Sequence, residues 1–399
     1  MTYRKFQAER IFDGQKFLGE EQVLIVNQEG IVLDVLHQSE AGDDIQQLNG
    51  ILSPGFINCH CHLELSHMKG RIPERTGLVD FVFKVVTERH HPEEEILQAI
   101  SDAEDEMLRN GIVAVGDICN NTLTITQKQK ERITYYNFIE ASGWLPAVAG
   151  VRLERALNLY KEFSMLNARY SKFNCSIVPH APYSVSNDLW NTIQPYFENK
   201  VASIHNQETR FEDEFFLHGS GDFSRMYEMM KIDNSHHQPT NRTSLQSYFT
   251  KLDKAKNVLM VHNTFTSEED IQFVQCQPIA SRPQSPNLNT RPFFCLCINA
   301  NLYIEDSLPP IELLRKHNCD IVLGTDSLAS NWSLSIADEI KSIRKQFSAV
   351  ELEEILKWAT YNGAKALDMQ QTFGSFEKGK KPGIVHFDES LSFIETLAL

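Results

Sequence analysis

From residue 56 onward the chain alternates short, continuously apolar runs with longer segments of helical period. No other feature constrains its fold as much. The runs fall at 56–60 (FINCH), 112–118 (IVAVGDI), 133–139 (ITYYNFI), 174–179 (NCSIVP), 201–205 (VASIH), 257–262 (NVLMVH), 292–298 (PFFCLCI) and 320–325 (DIVLGT). Most are apolar throughout rather than alternating, which suits parallel strands covered on both faces. The clearest helix between them is 92–110. Pro92 takes a first-turn position, Ile96, Leu97, Ile100, Ala103, Met107 and Leu108 share one face, and Asn110-Gly111 supplies the stop. Eight strands with intervening helices is the count for an α/β chain folded as a (β/α)8 TIM barrel. A doubly wound open sheet is the alternative, because alternation alone does not close a barrel.

Both ends differ from this middle. Val23–Val26 and Ile31–Leu36 are β-rich runs joined by Asn27-Gln28-Glu29-Gly30, a hairpin signal, and Gly383–Phe387 again reads as strand after a Lys-Gly-Lys-Lys-Pro-Gly turn. The long polar segment 208–256 is expected to hold one helix from Phe211 to Met230 and then a loop. A second loop is expected over Gln277–Asn289, rich in Pro, Ser and Asn.

Thirty-eight Lys and Arg against 53 Asp and Glu give a formal charge of −15, which argues against nucleic acid or an anionic membrane as partner. A small-molecule substrate is expected, and the sequence is compatible with a homodimer. No stretch approaches the roughly 18 apolar residues of a membrane helix. The first six residues, Met1 to Phe6, lack the apolar core of a secretory signal. The eight cysteines follow no disulfide-framework or CxxC spacing, and most sit in strand-like runs as small hydrophobes. A reduced, cytoplasmic compartment follows, and the sequon at Asn241 is read as chance.

The 14 histidines carry the functional signal. His60, His62, His180, His205 and His262 each stand at the C-terminal end of a predicted strand, and Asp326 does the same after the eighth. In a parallel barrel these ends open on one face, where side chains distant in sequence converge. His60-Cys61-His62 puts two imidazoles on the same side of an extended chain, able to reach one ion, with Cys61 pointing away. His205-Asn206-Gln207-Glu208 sets a carboxylate one short turn beyond a histidine. There it can act as a general acid/base, cap the following helix, or do both. Cys295-x-Cys297 reads as core.

The chain resembles the amidohydrolase superfamily, and within it the nucleobase and nucleoside deaminases and chlorohydrolases. The resemblance rests on Pro54–His62, Pro179–Ser184, His205-x-x-Glu208, Val261-His262-Asn263 and Gly324–Ser327, in the family's order. It implies a small β-sandwich from residues 1–55 and 368–399 beside a catalytic barrel of 56–367. It also implies one divalent metal, zinc or alternatively iron(II), on His60, His62, His205 and Asp326. Glu208, His262 and Asp326 would handle the proton and the hydrolytic water, with His180 and Glu64 touching substrate. The fourth strand ends Val178-Pro179-His180, without the bridging lysine of two-metal members. Three histidines and an aspartate leave a position for water, whose pKa on zinc falls towards about 7.

The implied reaction is hydrolytic deamination of an amino-substituted heterocycle such as a purine base or nucleoside. The enzymes most similar act on S-adenosylhomocysteine, guanine or aminodeoxyfutalosine. The same apparatus could displace chloride, hydrolyse a formimino group or cleave an amide. A non-catalytic ligand-binding barrel would leave Glu208 and His262 without purpose. One departure is Cys297-Ile298-Asn299-Ala300-Asn301, where relatives commonly have Pro before the Asn.

Overall fold

The computed structural model describes residues 3–167, 173–276 and 290–398, so the loop expected over Gln277–Asn289 lies outside the described residues. The N-terminal segment forms β1 (Tyr3–Ile11), β2 (Gln22–Asn27), β3 (Val32–His37) and β4 (Gln46–Pro54). β2 and β3 make the expected antiparallel hairpin. Asn27 Oδ1 accepts from the backbone N–H groups of Glu29 and Ile31 across its turn.

The eight apolar runs are all strands, within two residues of their expected limits. β5 (Phe56–Cys61), β6 (Ile112–Cys119), β7 (Thr134–Ala141) and β8 (Phe173–Pro179) form one parallel sheet in chain order. β9 (Val201–Asn206), β10 (Asn257–His262), β11 (Arg291–Leu296) and β12 (Ile321–Leu323) form a second. Every described residue of β5, β6, β9, β10 and β12 is buried, as strands covered on both faces require.

A continuous eight-stranded ladder does not form among the described residues. β8 and β9 meet through Ser176 Oγ donating to Val201 O (2.7 Å) and His205 N–H donating to His180 O (3.0 Å). β12 meets β5 where Thr325 and Asp326 both donate their N–H to His60 O. At the first interruption Pro179, the last residue of β8, has no N–H to give a ladder. At the second, β12 is only three residues long. Gly324 lets that seam close. A Cβ there would stand 2.9 Å from His60 Cβ and 3.0 Å from Cys295 Sγ.

The C-terminal strands β13 (Ile384–Phe387) and β14 (Ile394–Ala398) extend the N-terminal sheet edge-on, giving the order β14-β13-β4-β1-β2-β3. The ends therefore build one six-stranded mixed sheet where a sandwich was expected. One of its faces buries Phe6, Leu24, Leu52 and Ile384 in a local cluster. The other delivers Ile51, Val385 and Phe387 into the main core, which takes the place of a second sheet. β4 leads straight into β5 through Gly55, where a Cβ would lie 2.2 Å from Val113 Cγ1.

Two helical expectations are revised. The helix after Pro92 runs Glu93–Arg109 with Pro92 as its N-cap, one residue outside the first turn. The helix expected over Phe211–Met230 is two helices, Arg210–His218 and Phe223–Met229, separated at Gly219, whose φ of 71° is a left-handed stop. Among the described residues no helix is long and apolar enough to cross a membrane.

Candidate active site

His60 and His62 leave β5 on the same side, as the extended-chain argument requires. Their Nε2 atoms stand 3.2 Å apart. Asp326 Oδ1 lies 3.6 Å from His60 Nε2 and 3.4 Å from His62 Nε2. His205, from β9, and His262, the last residue of β10, place their rings 4.9 and 6.0 Å from that of His60. Two overlapping sets of donor atoms result, each within 4.8 Å of one another: His60, His62 and Asp326, and His60, His205 and His262. All five residues are buried. His262 (φ 74°) and Asp326 (φ 58°) sit in the left-handed region, which costs on the order of 1–3 kcal/mol each and turns their side chains into the site.

The protonation states suit a cation. Burial lowers His62 to about 4 and pushes His205 and His262 below the ordinary histidine range, so all three rings are neutral near pH 7. His205 Nδ1–H donates to His180 O at 2.8 Å, which leaves Nε2 as a bare lone pair. His262 Nδ1 meets Asn301 Oδ1 at 2.8 Å, and His262 Nε2 is buried without a partner. Burial alone would raise the Asp326 carboxyl, but the facing imidazoles, His60 foremost, hold it well below the carboxylate range. Ser330 Oγ donates to its second oxygen at 2.6 Å. Imidazole nitrogens converging beside an ionised carboxylate fit a divalent metal.

Glu208 lies beyond β9 with its Oε1 3.6 Å from His262 Nε2. Burial first, and then the nearby Asp326 charge, raise its carboxyl well above the usual range. The capping alternative does not hold: Thr209 is the N-cap of the next helix, without a side-chain cap bond.

A family model for the amidohydrolase family matches residues 51–397. The chain belongs to the amidohydrolase family. It is 25% identical over 356 residues to an adenosine deaminase of Helicobacter pylori, covering 88% of this chain and 82% of that one. Its fold is similar to the crystal structure of H. pylori aminofutalosine deaminase in complex with methylthio-coformycin, with a TM-score of 0.78 at 22% identity, covering 98% of this chain and 93% of that one. It is also similar to atrazine chlorohydrolase from Arthrobacter aurescens complexed with zinc, with a TM-score of 0.72 at 14% identity, covering 98% and 89%.

In this amidohydrolase the two expected substrate contacts differ in availability. The His180 ring lies 4.8 Å from that of His205, and its Nδ1 meets Ser184 Oγ at 2.7 Å. Glu64 is buried with both oxygens engaged, one by Arg89 Nη2 at 2.6 Å and the other by the Asn120 N–H at 2.9 Å.

Sequence reasoning missed Glu140. It lies on β7 one residue past the apolar run, its Oε2 accepts from Asn120 Nδ2 at 2.9 Å, and its buried Oε1 makes no hydrogen bond and lies 3.8 Å from His205 Nδ1. It groups with His180 and His205. An acidic residue at a strand's C-terminal end was the available signal. Reasoning also missed Lys128, whose buried Nζ donates to Asp117 Oδ2 (2.5 Å) and Asn137 Oδ1 (2.7 Å). Asp117 Oδ1 in turn accepts from the N–H of Leu63, the residue after His62. Cys61, Cys295 and Cys297 are buried as expected for core, and none of the eight cysteines is in a disulfide.

Proposed function

We propose that this amidohydrolase is a deaminase of an amino-substituted heterocycle, a purine base or nucleoside, that releases ammonia. Glu208 carries the reading: a buried carboxyl pushed by burial towards its acid form, 3.6 Å from a bare imidazole nitrogen and beside a set of metal-ligand side chains. A ring nitrogen must gain a proton before its amino substituent can leave, and a neutral carboxylic acid supplies one.

The two parallel sheets serve as the halves of a (β/α)8 barrel over 56–367, with 1–55 and 368–399 as the small domain. His60, His62, His205 and Asp326 would hold one divalent cation, zinc first and iron(II) second. The zinc in the chlorohydrolase relative supports this choice. Such a cation supplies Lewis acidity that makes water nucleophilic near neutral pH. Asp326 takes a proton from the attacking water, and His262 accepts a hydrogen bond from it. Glu208 donates its proton to the ring nitrogen as oxygen adds to the adjacent carbon. The proton on Asp326 passes to the amino group and the C–N bond breaks as ammonia leaves; the remaining hydroxyl proton returns to Glu208, which leaves a carbonyl and restores the acid. His180 borders the space for the heterocycle. The net charge supports a small-molecule substrate, and cysteines outside any disulfide support a reduced, cytoplasmic compartment.

The test is ammonia release from adenine nucleosides, guanine, pterins and formimino compounds, with a chlorotriazine and a simple amide as controls. Release from an amino-purine supports the reading. Turnover confined to the chlorotriazine or the amide, or no turnover by the metal-loaded protein, overturns it.

A further inference from the structure

We infer that Asn301 is a positioning residue that fixes His262 in a single tautomer, with hydrogen on Nδ1 and a bare Nε2 facing the site. The inference rests on the deaminase reading for its meaning but not for its geometry. Asn301 lies in the helix Ile298–Glu305 that follows β11 and is 1% exposed. It belongs to the Cys297–Asn301 stretch that departs from the family pattern.

The carboxamide of Asn301 spans His262 at two points. Oδ1 meets ring Nδ1 at 2.8 Å, and Nδ2 donates to the His262 backbone carbonyl at 3.4 Å. The second contact sets the orientation of the first. A flipped amide would face its oxygen against a carbonyl oxygen, two acceptors with nothing to share. Oδ1 therefore points at the ring and Nδ1 carries the hydrogen. A neutral imidazole has one N–H, so Nε2 is a lone pair. That atom is buried without a partner, 3.6 Å from Glu208 Oε1 and in the donor set with His60 and His205.

The same two contacts hold a strained residue. His262 has φ 74°, a conformation few side chains adopt, and Asn301 ties both its carbonyl and its ring. The helix that brings Asn301 is itself anchored. The Asn299 N–H donates to Glu339 Oε2 at 3.1 Å, and Asn299 Oδ1 accepts from Ser342 Oγ at 2.5 Å. Asn299 thus holds the helix in place and Asn301 reaches the site. With Nε2 bare, His262 receives a hydrogen bond from water. The opposite tautomer would point an N–H at the space the cation needs.

The test pairs a spectrum with kinetics. In metal-free protein labelled with 15N-histidine at pH 8, with His262 assigned by difference against His262→Gln, Nδ1 should resonate as the protonated nitrogen and Nε2 as the bare one. In metal-loaded Asn301→Leu, kcat for ammonia release should fall about 10- to 100-fold, the usual range for loss of a group that orients a metal-site histidine. KM and metal content should stay within about twofold, as a generally damaged fold would not allow. Asn301→Asp keeps an acceptor for the ring and should retain about tenfold more kcat than the leucine variant. A wild-type spectrum with hydrogen on Nε2, or wild-type kcat in Asn301→Leu at full metal content, overturns the inference. If Asn301→Leu does not fold, the wild-type spectrum and Asn301→Asp still decide it. Absence of ammonia release by wild-type protein would sink the deaminase reading and leave the tautomer to the spectrum.

Discussion

Replacing Glu212 by Gln should make the protein more resistant to alkaline pH. Glu212 lies fully buried in the first turn of the helix Arg210–His218. Its Oε1 accepts from the Gln207 N–H at 3.0 Å and from Ser244 Oγ at 2.5 Å, while Oε2 is buried without a partner. Burial raises its pKa to about 8, against partial opposition from those two hydrogen bonds. A carboxyl raised in the folded state contributes stability that is complete below its unfolded pKa. That stability is lost as pH rises through the folded value. The interval from about 4.5 to about 8 sets a ceiling of about 5 kcal/mol at ~1.4 kcal/mol per pH unit. Glutamine keeps an oxygen for both donors and carries no charge to bury. Melting midpoints of wild type and Glu212→Gln, with metal saturating in both, should agree to within about 1 kcal/mol at pH 5. By pH 9 they should separate in favour of the variant by on the order of 2–5 kcal/mol, at least several degrees. Referring the variant to wild type at each pH removes the parallel slope of Glu339, also raised to about 8 by burial. A difference that does not change between pH 5 and 9 would refute the reasoning.

Other outcomes follow from the same geometry. Lys128→Met leaves Asp117 buried without its cation and should cost about 3–5 kcal/mol in a thermal or denaturant melt. Because Asp117 holds the Leu63 N–H beside His62, metal content should fall as well. Gly324→Ala forces a Cβ to 2.9 Å from His60 Cβ and should lower both the melting midpoint and metal occupancy, the latter measured by elemental analysis. Chelation should lower the midpoint in proportion to lost binding, about 4 kcal/mol if the free metal had stood at a thousand times its Kd.

The strands of the two sheets were legible because most are short, largely continuous apolar runs set off by segments of helical period. The convergence of His60, His62, His205, His262 and Asp326 was legible because strand ends in a parallel array share one face. Features set by contacts far apart in the chain were not. The interruption between β8 and β9 depends on how two strands 22 or more residues apart meet through Ser176 and His180. The engagement of Glu64 depends on Arg89 and Asn120, and the Asn301–His262 contact on how a helix after β11 leans across β10. The single six-stranded end sheet depends on β13 finding the edge of β4, which no periodicity announces. The break between the helices at Gly219 was readable in Gly219-Ser220-Gly221, and the apolar pattern on either side masked it.

The role of Glu208 tests the account most directly. In metal-loaded Glu208→Gln the carboxamide keeps the shape of the buried acid but has no proton to give. Turnover of the best amino-purine substrate should fall about 10²- to 10⁴-fold, the range for loss of a general acid, with metal content unchanged. Full activity at full metal occupancy would contradict the assignment.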